Sequence, residues 1–544
     1  MENMHHSQKN VIPISHLPTF LLILGYPIFW LELLCLDTTR GVTSPWAAIL
    51  FVVLSMHVLI RNSKNKSSSC DVSYLKQEGG GRYFVIIGVI MMLFILLVSL
   101  RASLLPPHMV QEHDTLNYHY TLPRQHLINN SFFHLSWSTA DLFPLPIQCG
   151  LSPFWFATQL PNKFPQFLFL LGLVAVSVRI LHLWQKNILH SSMLVFAILG
   201  SHGIGIQMGT AMLDIVICYL FLAFIDSLLR GSIILAAIEC SFLFWAKSFL
   251  PFQMIFITVC LMVIYKFFKF KKYNIAWGEQ DRDIEKFFNK KNIRRFIILL
   301  LVFSVFVGGP FVIKSLYYSG TPLYPFFTGK MIANSRIDQT SNAWQSLLRA
   351  TQAHVGAKDQ YGYGRHIIDF IRHFWLVAVP DEGVNNKFDY PVGLPYLIFV
   401  VPFLRKTISI IREKRFSIFA FFVVFYWATW WLGSQQSRFL YMPLVLMFIS
   451  AIAVIEKPSK ILMAALLIAM GLNGISVFRA HQHDLKLSRI DVLRPHDKEM
   501  FELSKKYLSQ NRQDVVSLDN HEIAYAQFPV RINKEKLPFV ILSE

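Results

Sequence analysis

Residues 83–105 read YFVIIGVIMMLFILLVSLRASLL, and residues 106–124 continue PPHMVQEHDTLNYHYTLPR. The first stretch is apolar for the ~20 residues that a helix needs to cross a bilayer. The second turns polar at Pro106-Pro107 and gathers acids, histidines and an arginine among aromatic residues. A spanning helix that delivers ionisable groups to one membrane face sets the pattern for the rest of the chain. The 544 residues are 54% hydrophobic and 15% charged. Soluble domains run at about 45–50% apolar and about 25% charged. Mean hydropathy is +0.43, and there are 48 phenylalanines. An ordinary soluble enzyme and a disordered chain are both excluded.

Further apolar runs lie near 17–36, 44–60, 164–184, 191–208, 210–229, 231–247, 249–266, 296–314, 391–404, 416–432, 439–455 and 459–478. With 83–105 they predict about thirteen spans. The first run has no basic n-region and no small-residue cleavage site, so it reads as a retained helix. Six cysteines (35, 70, 149, 218, 240, 260) form no CxxC pair and suggest neither a disulfide framework nor a zinc knuckle.

The formal charge of +18 is unevenly distributed. Residues 61–82, 266–295 and 405–415 are rich in Lys and Arg, whereas 106–163 holds only Arg124 and Lys163. Alternating the spans puts the three basic loops on one side, which the positive-inside rule makes cytoplasmic. The N-terminus is then inside. Segments 106–163, 315–390 and the tail from about 480 are outside. No basic patch is interleaved with aromatic residues, so nucleic acid is not an expected partner. The chain divides into a two-span extension and loop (1–82), a transmembrane core (83–479) and an external tail (480–544). The predicted class is an all-helical integral membrane bundle with external loop helices and a small α/β tail. The tail joins a charged helical run to strand-like pieces. The two long external loops exceed ordinary connectors, which favours a functional role.

The segment Glu112-His113-Asp114-Thr115-Leu116-Asn117-Tyr118-His119 leads to Arg124. Asp114 suits a general base or the orientation of a nucleophile, and Arg124 or a histidine suits a phosphate. The same residues also fit an interfacial helix with Tyr and His at headgroup level. Asp141 lies farther along the loop, where a turn residue before Phe143-Pro144 is the plainer reading. Asp214 opens a span. A carboxylate within an apolar run is costly, and usually faces a cavity or a partner. Lys247 and Arg438 are external cations where the positive-inside rule makes cations scarce. They suit an anion such as a lipid phosphate, or snorkelling to headgroups. Gly320-Thr321-Pro322-Leu323-Tyr324-Pro325-Phe326 reads as a rigid turn at the interface, and Asp381-Glu382 as solvated loop charge. All of these groups fall on one predicted face.

The order of these anchors resembles the GT-C superfamily of polytopic glycosyltransferases, closest to bacterial members of the glycosyltransferase-39 and protein mannosyltransferase group. Asp114 stands in Asp-x-Leu-x-Tyr-His, followed by Leu122-Pro123. Then come Asp214, Lys247, the Gly-x-Pro-x-Tyr-Pro-Phe segment preceded by Gly309-Pro310, and Arg438 before an aromatic span start. The ordered match covers roughly residues 83–455. The resemblance implies a polyprenyl-phosphate sugar donor and an envelope glycan, lipid or protein as acceptor. It also implies transfer with inversion on the periplasmic face of a bacterial inner membrane. Asp114 becomes the base, Asp214 or Asp141 assists it, and Lys247 and Arg438 hold the leaving phosphate. Glu112, His113, Tyr118, His119, Arg124 and Tyr324 complete the expected substrate-binding set. Many relatives carry a second acid directly after the first. Here Thr115 occupies that place. No cofactor is implied with certainty, and a divalent metal is left open. Three rival classes remain: a polymerase or ligase of lipid-linked glycans, a flippase or transporter of them, and a structural subunit of an envelope assembly. A transporter favours inverted repeats and mid-membrane charge pairs, and no repeat is seen.

Overall fold

In a computed structural model the described residues are 13–34, 49–53, 81–108, 112–270 (apart from 134, 136, 137, 158, 159 and 185), 290–326, 361–378 (apart from 363), 388–413, 417–510, 515–517, 530–532 and 538–541. Most of the expected span 44–60, most of the basic loops 61–82 and 266–295, and Asp381-Glu382 lie outside them.

The chain is helical from end to end of its apolar core. The helices are α1 (Leu17–Leu34), α2 (Gly81–Ser103), α3 (Thr121–Ile128), α4 (Pro146–Trp155), α5 (Phe164–His182), α6 (Ile188–Gly200) and α7 (His202–Gln207). They continue with α8 (Asp214–Leu229), α9 (Ile233–Phe244), α10 (Leu250–Phe270), α11 (Lys290–Ser319) and α12 (Ile367–Leu376). The last are α13 (Leu394–Arg412), α14 (Ile418–Leu432), α15 (Tyr441–Val454), α16 (Lys460–His481) and α17 (Pro495–Gln510). Asn187, Ser417 and Ser459 cap α6, α14 and α16 by accepting from backbone amides of the first turn. Three short strands, β1 (Val515–Ser517), β2 (Val530–Ile532) and β3 (Pro538–Ile541), pair antiparallel in the order β1-β3-β2.

Seven helices among the described residues are long and apolar enough to cross a membrane. The expectation of about thirteen spans is met only in part. Ser201 divides the expected span 191–208 into α6 and α7. At 12 to 16 residues, α6, α8, α9 and α14 rise about 18–24 Å, less than the ~30 Å hydrocarbon core. They sit among longer neighbours. α8 is the central case: its side chains are buried from Asp214 to Ala223. It packs between α5, α9 and α15. Around that interior, Ile86, Ile90 and Leu97 on α2, Val259 and Val263 on α10, and Leu301 and Val305 on α11 are exposed. Apolar patches of that extent are not stable in water. With the seven spans they identify a multi-pass membrane protein.

The helices alternate between two ends of the bundle. At one end Lys163 N donates to Ser103 O (2.7 Å), joining α5 to α2. Arg101 Nη2 reaches Leu487 O (2.7 Å) and Arg489 Nη2 reaches Leu160 O (2.6 Å). The first large loop and the chain after α16 therefore share that end. At the opposite end Lys186 Nζ and His190 Nε2 both donate to Ile455 O, at 3.0 and 2.8 Å. A buried polar knot lies towards this second end. His16 bridges Asp226 (2.8 Å) and Glu239 (2.7 Å), while Arg179 and Arg230 close on Asp226 at 3.1 and 2.9 Å. Each buried carboxylate is thus paired, as its desolvation requires.

Candidate active site

The first end of the bundle gathers charge. A turn of π-helix, Thr115–His119, follows Asp114 directly, a local widening often found at functional sites. α8 begins at Asp214, so its N-terminal dipole favours the carboxylate there. The α9–α10 turn carries Lys247, and the short helical turn Ser437–Leu440 before α15 carries Arg438. Four remote stretches of sequence so meet.

Arg438 Nη1 donates to Asp114 Oδ2 at 3.0 Å, and its Nε lies 3.1 Å from Asp389 Oδ2. Lys247 Nζ donates to Asp214 Oδ1 at 2.5 Å, and Gln207 Nε2 to Asp214 Oδ2 at 2.9 Å. The Lys247 ammonium sits 4.3 Å from the centre of the Phe439 ring, with the Arg438 guanidinium 5.5 Å from it. Both cations therefore gain from one aromatic ring. Three carboxylates surround two cations. A narrow hollow of about 10 Å³ opens between Asp214, Lys247, Arg438, Phe439, Tyr426 and Tyr441, enough for roughly one water.

Burial alone would raise the Asp114 carboxyl, but the Arg438 charge beside it holds it below the usual carboxylate range. Asp114 is therefore ionised at neutral pH. Burial pushes His119 down to about 3, so its imidazole is neutral. Gln148 Nε2 donates to His119 Nδ1 at 3.0 Å, which leaves the proton on Nε2. Burial, then the Asp114 charge, raises Tyr118 well above the usual phenol range, and Tyr118 shares a hydrogen bond with Asp114. Burial lowers Lys247, and Asp214 opposes that shift. Asp389 is raised to about 6: burial and the charges of Asp214 and Asp114 outweigh Arg438.

Asp389 is held in an unusual backbone conformation, with φ at +78°. Ser437 explains it. Its amide donates to Phe388 O (2.7 Å), its hydroxyl accepts from Tyr390 N (3.2 Å), and that hydroxyl also donates to Tyr390 O. A single residue thus grips both neighbours of Asp389 and sets it beside Arg438, the next residue in the chain. A non-glycine residue in the left-handed region costs on the order of 1–3 kcal/mol, and such strain clusters at functional sites.

Of the residues singled out in the sequence, Asp114, Tyr118, His119, Asp214, Lys247 and Arg438 are brought together. Other expected members are held elsewhere. Asp141, expected to assist Asp114, accepts from Lys314 Nζ (2.6 Å) and Leu135 N (2.7 Å) and pairs with His126 Nε2 (2.6 Å), completely buried. Glu112 is also fully buried, accepting from Ala211 N (2.9 Å), His108 N (3.0 Å) and Lys163 Nζ (3.4 Å). It is a strut between the first loop and the turn before α8. Burial would raise its carboxyl, and Lys163, His108 and the two backbone amides together outweigh that to keep it ionised. Arg124 lies over the Phe156 ring at 5.1 Å rather than with Lys247 and Arg438. Tyr324 is buried against Leu142 and Phe143, and its amide donates to Ser315 Oγ (3.3 Å). His113 pairs with Asn117 Nδ2 (2.6 Å) at the surface.

Sequence reasoning missed Asp389, Gln148 and Gln207. The signal for Asp389 was slight: an acid four residues before Gly393, which precedes α13. Among the described residues no group of three His, Cys, Asp or Glu side chains is placed to hold a metal ion. No family model, no curated protein and no solved structure matches the chain.

Proposed function

We propose that the protein is a membrane glycosyltransferase that moves a sugar from a polyprenyl-phosphate carrier to an envelope acceptor on the periplasmic face. The observation that carries this reading is the cluster of Asp114, Asp214, Asp389, Lys247 and Arg438 at one end of a lipid-embedded bundle. A lipid-anchored anionic donor needs cations at that depth, and an acceptor hydroxyl needs a base beside them. The acceptor oxygen attacks the anomeric carbon, and its proton passes to Asp114. The bond from that carbon to the phosphate oxygen breaks, and the phosphate leaves with the electron pair. Arg438 and Lys247 stabilise the charge that develops on it. Asp214 holds Lys247, and Asp389 holds Arg438. In the resting arrangement Arg438 is bound to Asp114. A phosphate that draws the guanidinium away frees Asp114 and strengthens it as a base.

The active end is taken as periplasmic because Lys and Arg crowd the loops at 61–82, 266–295 and 405–415, in keeping with cytoplasmic retention of positive charge. The N-terminus is then cytoplasmic, and the membrane a bacterial inner membrane.

The test is release of polyprenyl phosphate by purified protein in lipid. A panel of polyprenyl-phosphate sugars is offered with envelope extract as acceptor, comparing wild type with Asp114→Asn. Release by wild type alone is expected. Equal release by a well-folded Asp114→Asn protein overturns the role of the base.

A further inference from the structure

We infer that α12 is an interfacial helix seated in the lipid headgroup boundary, with its apolar face in the bilayer, at the rim of the candidate active site. The helix is amphipathic in reverse. At 100° per residue, Ile367, Ile371, Trp375 and Ile368 fall within an arc of about 100°, and they are 79%, 59%, 52% and 58% exposed. Asp369 and His373 face the protein instead. Asp369 is buried and accepts from His366 N (3.1 Å), and His373 is fully buried with Nε2 on Gln435 Oε1 (2.7 Å). Phe374 stacks on Trp427 at 4.9 Å, and Phe370 meets Trp431 at 5.1 Å. A surface helix in water carries the opposite arrangement.

What covers the stripe follows from where the helix is tied. Arg365 Nη1 donates to the carbonyls of Trp431 (2.7 Å), Leu432 (2.9 Å) and Gly433 (2.8 Å), the unmatched end of α14. α12 therefore starts where the apolar helix α14 stops. Leu432 at that end is exposed as well, so apolar surface is presented on both sides of the Arg365 tie. Ten residues rise only about 15 Å, so α12 cannot cross the hydrocarbon core. An exposed Trp375 and a flanking exposed Arg372 suit the headgroup boundary, where an aromatic ring and a snorkelling cation are both satisfied. The occupant is lipid rather than a second copy of the chain, because the stripe lies across the Arg365 tie from apolar surface that already faces lipid.

The far end of α12 reaches the site. Val392 N donates to Val377 O (2.9 Å), three residues beyond Asp389. Lipid chains lying along the stripe are thus brought beside the Asp389–Arg438 edge. That consequence rests on the glycosyl-transfer reading: the carrier chain of the donor approaches along α12.

The seat is tested without activity. A photo-crosslinking amino acid replaces Ile371 in the full chain, reconstituted in nanodiscs of phosphatidylethanolamine and phosphatidylglycerol. Parallel positions are Ile90 on α2 and Glu499 on α17. Lipid adducts at 371 and 90 but not at 499 are expected. No lipid adduct at 371 beside a clear one at 90, or an adduct at 371 to this chain or to a second copy, overturns the seat. In the second arm Ile368→Gln/Ile371→Gln is expected to raise KM at least fivefold for a long-chain polyprenyl-phosphate sugar and to leave a two-isoprene donor unchanged. Equal KM changes for both donors overturn the approach path. Lipid adducts at 371 with no transfer by wild type from any donor would reject the glycosyl-transfer reading and leave the seat standing.

Discussion

Arg438 is shared by two carboxylates of different character. Asp114 stays ionised under its influence, whereas Asp389 is raised to about 6. The two therefore behave differently in a pH series. As pH rises through about 6, Asp389 loses its proton, and its charge competes with an incoming phosphate for the guanidinium. Donor KM is expected to rise over pH 6–8, by at most about tenfold per pH unit for one group. Asp389→Asn is expected to flatten that rise, measured as donor KM at fixed acceptor. A wild-type KM that does not change over this window would remove Asp389 from the anion site. Asp114→Asn acts on kcat instead, by a factor of about 10²–10⁴ if the carboxylate is the general base, with little effect on thermal stability. Sequence singled out Asp214 because a carboxylate in an apolar run is conspicuous, Lys247 and Arg438 because cations are scarce on that face, and Asp114 because acids and histidines crowd around it. Asp389 escaped because an acid in a polar loop is ordinary. Its importance comes from Ser437, which is 48 positions away in sequence.

At the scale of elements, the structure separates groups that sequence treats alike. Asp114 and Asp141 lie in one loop, the first directly ahead of the turn Thr115–His119 and the second inside the turn Thr139–Leu142. Only Asp141 is completely buried with Lys314 of α11 and His126 of α3. Burial, reinforced by the Lys314 charge, lowers His126, so the imidazole is neutral and the pair reduces to one anion and one cation. Removing one partner strands the other charge, at a cost of about 3–5 kcal/mol. Lys314→Met is accordingly expected to lower the melting temperature of the purified protein markedly, while each molecule that folds transfers sugar at the normal rate. Full stability of that variant would show the network to be incidental. Packing between α1 and α4 is similarly strict. A Cβ added at Gly25 would lie 1.8 Å from the Gly150 carbonyl oxygen. Gly25→Val is expected to destabilise the α1–α4 contact by about 1–3 kcal/mol or more, read by thermal unfolding in detergent.

Across the whole molecule, three segments far apart in sequence share one end: the 106–163 loop, residues 388–390, and the chain after α16. His108 Nε2 and His481 Nδ1 both pair with Asp484, at 2.9 and 3.0 Å, and so lock the last of these onto the first. A reporter fused at residue 484 and one fused within 106–112 must therefore read the same side of the membrane. The proposed orientation expects both to be periplasmic and a fusion at 413 to be cytoplasmic. A cytoplasmic reading at 484 would reverse the orientation.

Composition and hydropathy alone determined that this chain lives in a bilayer. A run of 20 apolar residues has no stable alternative in water, and that property is local to the run. The same local logic located Asp214 and Lys247, because an unpaired carboxylate or ammonium beside such a run is costly wherever the chain goes. Only the tertiary structure decided which charges meet. Glu112 and Asp141 are each satisfied by a lysine, Lys163 just ahead of α5 and Lys314 within α11. Asp114 and Asp389 instead share Arg438 at the rim of a hollow. Electrostatic pairing depends on separation in space, and over 324 positions between Asp114 and Arg438 only the packing of the intervening helices supplies it.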